Sequence, residues 1–252
     1  MWDPTTYLDF ADHRARPFHD LLARVGAVDP RRVVDAGCGP GNVTGLLAER
    51  WPKAELEAFD SSPEMVAQAR ERGLNARVLD IREWQPAADT DVVISNAVLQ
   101  WIPEHEELLP GWVAALPPEA WFALQVPGNH GDRTHQIIGE LAATQRWSGL
   151  LDGFRPERGV PAAARYGDIL AVAGMATDVW ETTYVHRLTG EDPVLHWVSG
   201  TALRPIRAKL DDEQWARFTA ELAPRYREEY PVRSDGTTWL PFRRVFAVGR
   251  KV

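Results

Sequence analysis

The chain is poor in the residues that staple a fold or hold a metal. Its 252 residues include a single cysteine, Cys38, so no internal disulfide can form and no cysteine-based zinc centre is expected. No apolar run approaches the roughly 18 residues that a membrane-spanning helix needs. The opening Met1-Trp2-Asp3-Pro4 lacks a basic stretch leading into an apolar one; no secretory leader is expected, and the cytoplasm is the expected compartment. There is no tandem repeat and no low-complexity segment. Basic residues are outnumbered 28 to 36, for a formal net charge of −8. Without clustered Lys and Arg, neither nucleic acid nor a membrane is an expected partner. What is present is ordinary: 44% hydrophobic and 25% charged residues, which excludes collagen, a coiled-coil rod and wholesale disorder. Eleven tryptophans read first as packing residues and second as walls of a cavity. The length suits one large domain with insertions.

The first half alternates short apolar runs with helical periodicity. Strands are expected at Arg32–Ala36, Glu55–Phe59, Ala76–Leu79, Asp91–Ser95 and Trp121–Val126. Helices are expected at Gly41–Arg50, from Ser61-Ser62-Pro63-Glu64 to Gly73, and at Pro103–Leu116. Such alternation implies a parallel sheet covered on both faces. The second half changes texture. Residues 128–160 are rich in Gly, Pro and His and read as a cover. Ala162–Gly174 is helical, Val179–Leu188 is a β run, Pro193–Leu203 and Asp211–Tyr230 are helical, and Phe242–Gly249 is a last strand, the final two strands forming an edge hairpin around a helical insertion.

The chemistry-bearing residues fall at strand ends. Val33-Val34-Asp35-Ala36-Gly37-Cys38-Gly39-Pro40-Gly41 runs from a strand into a helical pattern. Its glycines permit a tight turn close to a ligand, and a helix start there favours an anionic group. The spacing is G-x-G-x-G, unlike the dinucleotide-binding G-x-G-x-x-G; a purely structural turn is the competing reading. Asp60 ends the second strand, where a carboxylate in a doubly wound sheet meets ribose hydroxyls; capping of the next helix is the competing reading, for which Ser61 and Ser62 are better placed. Leu79-Asp80-Ile81 ends the third strand, with Asp80 able to accept from an adenine amine and Ile81 to pack on the ring, or with Asp80 as a turn residue. Ile94-Ser95-Asn96-Ala97 ends the fourth strand, beside the sheet's switch point.

These four signals together resemble the S-adenosylmethionine-dependent methyltransferases of the Rossmann-like class. The resemblance implies a seven-stranded, mostly parallel sheet with an antiparallel edge strand, helices on both faces and a helical cap. It implies cofactor contacts from Asp35, Gly37, Gly39 and Gly41, from Asp60, Ser61 and Met65, from Asp80 and Ile81, and from Asn96. A narrower similarity, to the trans-aconitate methyltransferase family, covers nearly the whole chain. It rests on Trp2-Asp3-Pro4-x-x-Tyr7-Leu8-x-Phe10, Arg14-x-Arg16-Pro17, Asp80-Ile81-Arg82-x-Trp84-Gln85-Pro86, Asn96-Ala97-x-Leu99-Gln100-Trp101, Trp180-x-Thr182-Thr183-Tyr184, His196-Trp197-Val198 and Gly200-Thr201-x-Leu203-Arg204-Pro205. It implies one methyltransferase domain over residues 1–252, a lid of about 1–28, and cap insertions of about 128–160 and 190–238. The implied reaction is methylation of one carboxylate of trans-aconitate, with S-adenosylhomocysteine as the other product.

A carboxylate is ionised at neutral pH, so it needs no general base to act as a nucleophile, and no catalytic acid–base residue is assigned. A tricarboxylate does need cations, and arginine binds carboxylates in pairs of bonds. Arg204, at a proline-marked boundary, is the first candidate and Arg14 the second, with Tyr166, Trp197 and Thr201 as further substrate contacts. Tyr7 and Arg16, in the lid, are expected against the cofactor. The competing readings are surface arginines for Arg204, Arg14 and Arg16 and packing roles for Tyr166 and Trp197. His130 and His135 have no acidic partner at metal spacing, and no metal is expected. Other readings of the chain are a methyltransferase acting on another small acid or a natural product, a nicotinamide-dependent oxidoreductase, and a binding protein without turnover.

Overall fold

The structure is a computed structural model that describes residues 11–154 and 159–252, with side chains from Ala15 onward. The elements are α1 (Ala11–Leu22), β1 (Arg32–Ala36), α2 (Gly45–Arg50), β2 (Glu55–Asp60), α3 (Pro63–Glu71), β3 (Ala76–Val78), β4 (Thr90–Asn96), α4 (His105–Ala115) and β5 (Trp121–Pro127). There follow α5 (Arg133–Ala142), α6 (Gln145–Ser148), α7 (Ala163–Val172), β6 (Met175–Leu188), α8 (Pro193–Ser199), α9 (Arg204–Arg207), α10 (Asp212–Glu229) and β7 (Thr238–Lys251). The strands form one seven-stranded sheet in the order β3-β2-β1-β4-β5-β7-β6. β1 through β5 are parallel and β7 runs antiparallel to β5. This is the Rossmann-like methyltransferase fold. The antiparallel strand lies one place in from the edge, with β6 outside it.

The chain divides into two compact units. The larger comprises Arg14–Pro127, Val160–Thr182 and Arg244–Val252; the smaller comprises Met1–His13, Gly128–Gly159 and Thr183–Arg243. In the larger unit β1, β4 and β5 are buried on both faces, so they read as apolar runs instead of alternating ones. Its main cluster packs Phe59, Trp84, Trp112, Phe122 and Tyr166 with aliphatic strand residues. Trp84 meets Trp112 edge to face at 5.7 Å, and Trp112 donates its indole N–H to the Trp84 carbonyl at 3.2 Å. The first-named use of tryptophan, packing, is therefore seen here. The N-terminal ends of the strands are tied by charge. Arg31 forks onto Asp91 at 2.7 and 3.0 Å, and Arg32 onto Asp89 and Glu55.

The smaller unit is helical around its own cluster of Ile137, Leu141, Trp147, Phe218, Leu222 and Tyr226. Trp147 stands edge-on to Phe218 at 5.1 Å. Its long helix α10 opens with a complete capping box, Asp211 accepting from the Gln214 N–H and Gln214 accepting from the Asp211 N–H; two orphan donors are met at once. The Tyr226 hydroxyl donates to the Thr134 carbonyl at 2.9 Å, joining α10 to α5.

One departure from the sequence-based elements lies after β1. A helix was expected from Gly41, but α2 begins at Gly45. Gly41 has φ +79°, a left-handed conformation that cannot start a helix, and residues 42–44 are turn. The ligand-facing N–H groups therefore belong to the glycine turn itself.

Candidate active site

The larger unit brings the cofactor candidates together at the C-terminal ends of β1, β2, β3 and β4. Parallel pairing sets them in register: Asp35 beside Ala58 and Ile94, Asp60 beside Val78, and Asn96 beside Gln125. The glycine turn hangs from β2, because the Gly37 and Cys38 N–H groups both donate to the Phe59 carbonyl at 2.9 Å. Asp60 then locks the turn to the start of α3. Its Oδ2 accepts from the Gly39 N–H at 2.9 Å and its Oδ1 from the Ser62 N–H at 2.9 Å. Two of its four lone-pair directions remain for hydroxyls. Ser62 is the N-cap of α3 and accepts from the Met65 N–H at 3.2 Å, as its position before Pro63 implied. Ser61 is exposed and Met65 buried.

Two glycines show why this turn needs glycine. A Cβ on Gly37, at φ +90°, would stand 2.3 Å from Val98 Cγ2, so the turn is packed against the segment that follows β4. A Cβ on Gly39, at φ +54°, would meet nothing within 4 Å. One glycine is pressed against protein, and the other leaves open space beside the Asp60 carboxylate.

Asp35 is buried, at 2% exposure. Its Oδ2 accepts from the Thr44 hydroxyl at 2.7 Å. Loss of hydration pushes its carboxyl up to about 6; the Thr44 bond opposes that and the Asp60 charge adds to it. The folded chain therefore holds a proton, between about pH 4 and 6, that the unfolded chain releases. Stability falls as pH rises through that window, by on the order of 2–3 kcal/mol in all. Asp35→Asn keeps an acceptor for Thr44 and removes the buried charge. In the absence of cofactor it is expected to raise stability above pH 6 by about 2 kcal/mol and to change nothing near pH 4. Urea unfolding across pH checks this; a variant weaker than the parent at pH 7.5 refutes it.

Asp80 is held by its neighbour. Arg82 Nε and Nη2 donate to its two oxygens at 2.9 and 2.7 Å, and the Arg82 N–H adds a third bond at 2.9 Å. These bonds hold the Asp80 carboxyl below the usual carboxylate range. Ile81 is buried, at 5% exposure. The turn geometry weighed for Asp80 is present, and Arg82 engages both of its oxygens.

At the end of β4 the Asn96 Oδ1 is buried without a hydrogen-bond partner, and so is the Gln100 Oε1; Gln100 Nε2 donates to the Ala97 carbonyl at 2.7 Å. Orphaned buried acceptors ask for a donor. A ligand with a diol for Asp60, a cationic amine for Asp35 and Asn96, and an adenine ring for Ile81 matches this set, so the residues fit S-adenosylmethionine.

The substrate candidates belong to different units, Tyr166 to the larger and Trp197, Thr201 and Arg204 to the smaller. Tyr166 is fully buried in the larger unit, where its hydroxyl bonds His105 Nε2 at 2.8 Å. His105 Nδ1 in turn donates to the Ile102 carbonyl at 2.7 Å. Trp197 is 5% exposed in the smaller unit, stacked on His186 at 4.7 Å and edge-on to Phe242 at 5.8 Å. Tyr166, expected to offer a hydroxyl, and Trp197, expected as an apolar wall, are both enclosed by packing, the competing reading for each. Arg204 and Thr201 are half-buried at the start of α9, the Arg204 N–H donating to the Thr201 carbonyl at 3.1 Å. Arg16 is exposed on α1. Arg14 is in α1 with its side chain outside the described residues, and Tyr7 lies outside them. Sequence reasoning missed Thr44, whose hydroxyl holds Asp35, and the His105–Tyr166 pair. Thr44 carried a signal, a lone hydroxyl just past the glycine turn; His105 looked like part of an acidic helix start. Among the described residues no group of three His, Cys, Asp or Glu could hold a metal ion, and no helix is long and apolar enough to cross a membrane.

Strand order and turn chemistry together define a Rossmann-like methyltransferase, and the methyltransferase domain family matches residues 10–158. The chain is 58% identical over 252 residues to the trans-aconitate 2-methyltransferase of Mycobacterium sp. (strain KMS), covering 99% of each chain. It is 59% identical, with the same coverage, to the trans-aconitate 2-methyltransferase of Rhodococcus jostii (strain RHA1). It belongs to the trans-aconitate 2-methyltransferase family. Among solved structures, the YcgJ protein from Bacillus subtilis matches with a TM-score of 0.57 at 14% identity, over 94% of this chain and 98% of that one, and shows the fold.

Proposed function

We propose that this chain transfers a methyl group from S-adenosylmethionine to one carboxylate of trans-aconitate, giving the monomethyl ester and S-adenosylhomocysteine, as a cytoplasmic enzyme. The observation that carries the reading is identity of 58–59% that extends over 99% of the chain, through the second half, where an acceptor is chosen, as well as the shared cofactor framework. The bound cofactor supplies an electrophilic methyl carbon.

The chain's own residues then have three tasks. The glycine turn, Asp35 and Asn96 hold the methionine part, Asp60 takes the ribose hydroxyls, and Asp80 with Ile81 takes adenine. The acceptor carboxylate is already ionised, so no side chain need remove a proton from it. The rate comes from holding oxygen, carbon and sulfur in line with water excluded. The third task is charge. A trianion must be drawn to a chain of net charge −8, which requires arginine at the acid; Arg204 and Thr201, at the start of α9, are assigned to that task.

A turnover assay with S-adenosylmethionine and trans-aconitate, cis-aconitate, isocitrate and citrate tests the proposal. Ester is expected on trans-aconitate with kcat/KM at least tenfold above the other acids. Cofactor binding with no ester from any of the four sinks the substrate assignment and leaves the cofactor residues standing.

A further inference from the structure

Register partners in a sheet point to the same face, as do residues two apart on one strand. Asp35 pairs with Ile94, two residues before Asn96; Asn96 pairs with Gln125; Gln125 pairs with Phe246, two residues after Arg244. Asp35, Asn96, Gln125 and Arg244 therefore stand on one face, on the four adjacent strands β1, β4, β5 and β7. The row reads carboxylate, amide, amide, guanidinium. Gln125 is 1% and Arg244 5% exposed. Polar groups buried in a sheet are costly unless satisfied, yet Asn96 Oδ1, an acceptor, and Gln125 Nε2, a donor, have no hydrogen-bond partner.

Arg244 Nη1 donates to Gln125 Oε1 at 3.1 Å. That bond assigns the amide oxygen to the arginine and turns the amide nitrogen, a donor, to a different partner. Guanidinium and amide together present N–H donors, which suits an anion. At the other end, Asp35 and the Asn96 oxygen present acceptors and one negative charge, which suits a cation. The polarity runs across the strands, from the glycine turn toward β7.

We infer that Arg244 and Gln125 Nε2 hold a carboxylate of the acceptor acid, and that this is the anchoring carboxylate and not the one that takes the methyl group. The inference rests on the acid being the substrate. A forked guanidinium claims lone pairs on both oxygens of the group it binds, which lowers the nucleophilicity of that group and fixes the orientation of the rest of the molecule. The reacting carboxylate then lies nearer β4 and the cofactor. Arg244 carries no signal of its own in the sequence; the sheet buries it.

The test uses the whole chain, with steady-state kinetics on trans-aconitate and calorimetric binding of S-adenosylhomocysteine. Arg244→Gln is expected to raise KM for the acid by at least 100-fold, to lower kcat by much less, and to leave the affinity for S-adenosylhomocysteine within threefold. Arg244→Lys keeps the charge without the fork and is expected to fall between. Gln125→Glu is nearly isosteric and supplies Arg244 with an internal carboxylate, so it preserves folding even where Arg244→Gln does not. It is expected to raise KM for the acid at least 30-fold, again with product binding unchanged. Variants that bind S-adenosylhomocysteine normally and keep KM within twofold overturn the inference. So does a loss of S-adenosylhomocysteine affinity as large as the change in KM, which would assign the row to the cofactor. Failure of the wild-type chain to esterify trans-aconitate ends the parent reading as well, and is seen before any variant is made.

Discussion

Asp60→Ala is expected to weaken binding of S-adenosylhomocysteine by about 100- to 1,000-fold. The carboxylate has two jobs. It ties Gly39 to the start of α3 through two backbone N–H bonds of 2.9 Å, and its free lone pairs are the ones we propose for a pair of ribose hydroxyls. Hydrogen bonds to a charged group contribute roughly 1.5–3 kcal/mol each, and every 1.4 kcal/mol is about tenfold in affinity. Two hydroxyl bonds therefore account for the expected range before any loosening of the turn is counted. Asp60→Asn loses the charge and one acceptor and is expected to lose about tenfold. Calorimetry on folded variants decides the matter. An alanine variant that binds within threefold of the parent would remove Asp60 from the cofactor site and leave it as a turn residue only.

Gly37→Ala is expected to destabilise the chain by about 3 kcal/mol or more. A left-handed alanine costs roughly 1–2 kcal/mol, and forcing extra atoms into packed protein costs about 1–3 more. The added Cβ would sit 2.3 Å from Val98 Cγ2 and 2.8 Å from Cγ1. At this chain length that corresponds to a fall in Tm of roughly 6–12 °C. Adding Val98→Ala should recover the packing part and leave the backbone part, so about half of the loss returns. Gly39→Ala is the contrasting case, since its Cβ would meet no atom within 4 Å. Its stability cost should be limited to the backbone strain, about 1 kcal/mol, while its effect on cofactor affinity should be large. Thermal unfolding of the three variants and the double variant gives the comparison, and a single loss shared equally by Gly37→Ala and Gly39→Ala would contradict it.

The parallel half of the sheet was legible because each strand there is a short apolar run closed by a polar residue. Asp35, Asp60, Asp80 and Asn96 are all strand-end or near-strand-end groups, and the spacing of strand and helix fixes their order. The start of α2 was not legible, because helical periodicity continues back through Val43 while the backbone at Gly41 is left-handed, and periodicity does not report φ. Tyr166 and Trp197 keep two readings in the sequence for a related reason. An aromatic with a polar tip satisfies that tip either on a ligand or on the protein, and the sequence shows only the tip; Tyr166 spends its hydroxyl on His105. Arg244 was hidden by its type, since the burial of an arginine depends on neighbouring strands that are distant in sequence. Gln125 lies 119 positions away.

The ion pairs at the opposite ends of these strands have a consequence for how the protein tolerates change. Arg31 with Asp91, and Arg32 with Asp89, Glu55 and Glu57, tie β1, β2 and β4 where each strand begins. The ligand-facing groups of β1, β2 and β4 sit where they finish. Arg32 divides its contacts among three carboxylates, so losing one of them removes only part of that network, whereas Arg31 and Asp91 form a single pair. Strand alignment and ligand chemistry are thus written at separate ends of the same few residues. Replacement of a ligand-facing side chain at the finishing ends is expected to change what is bound there without shifting the register of the strands.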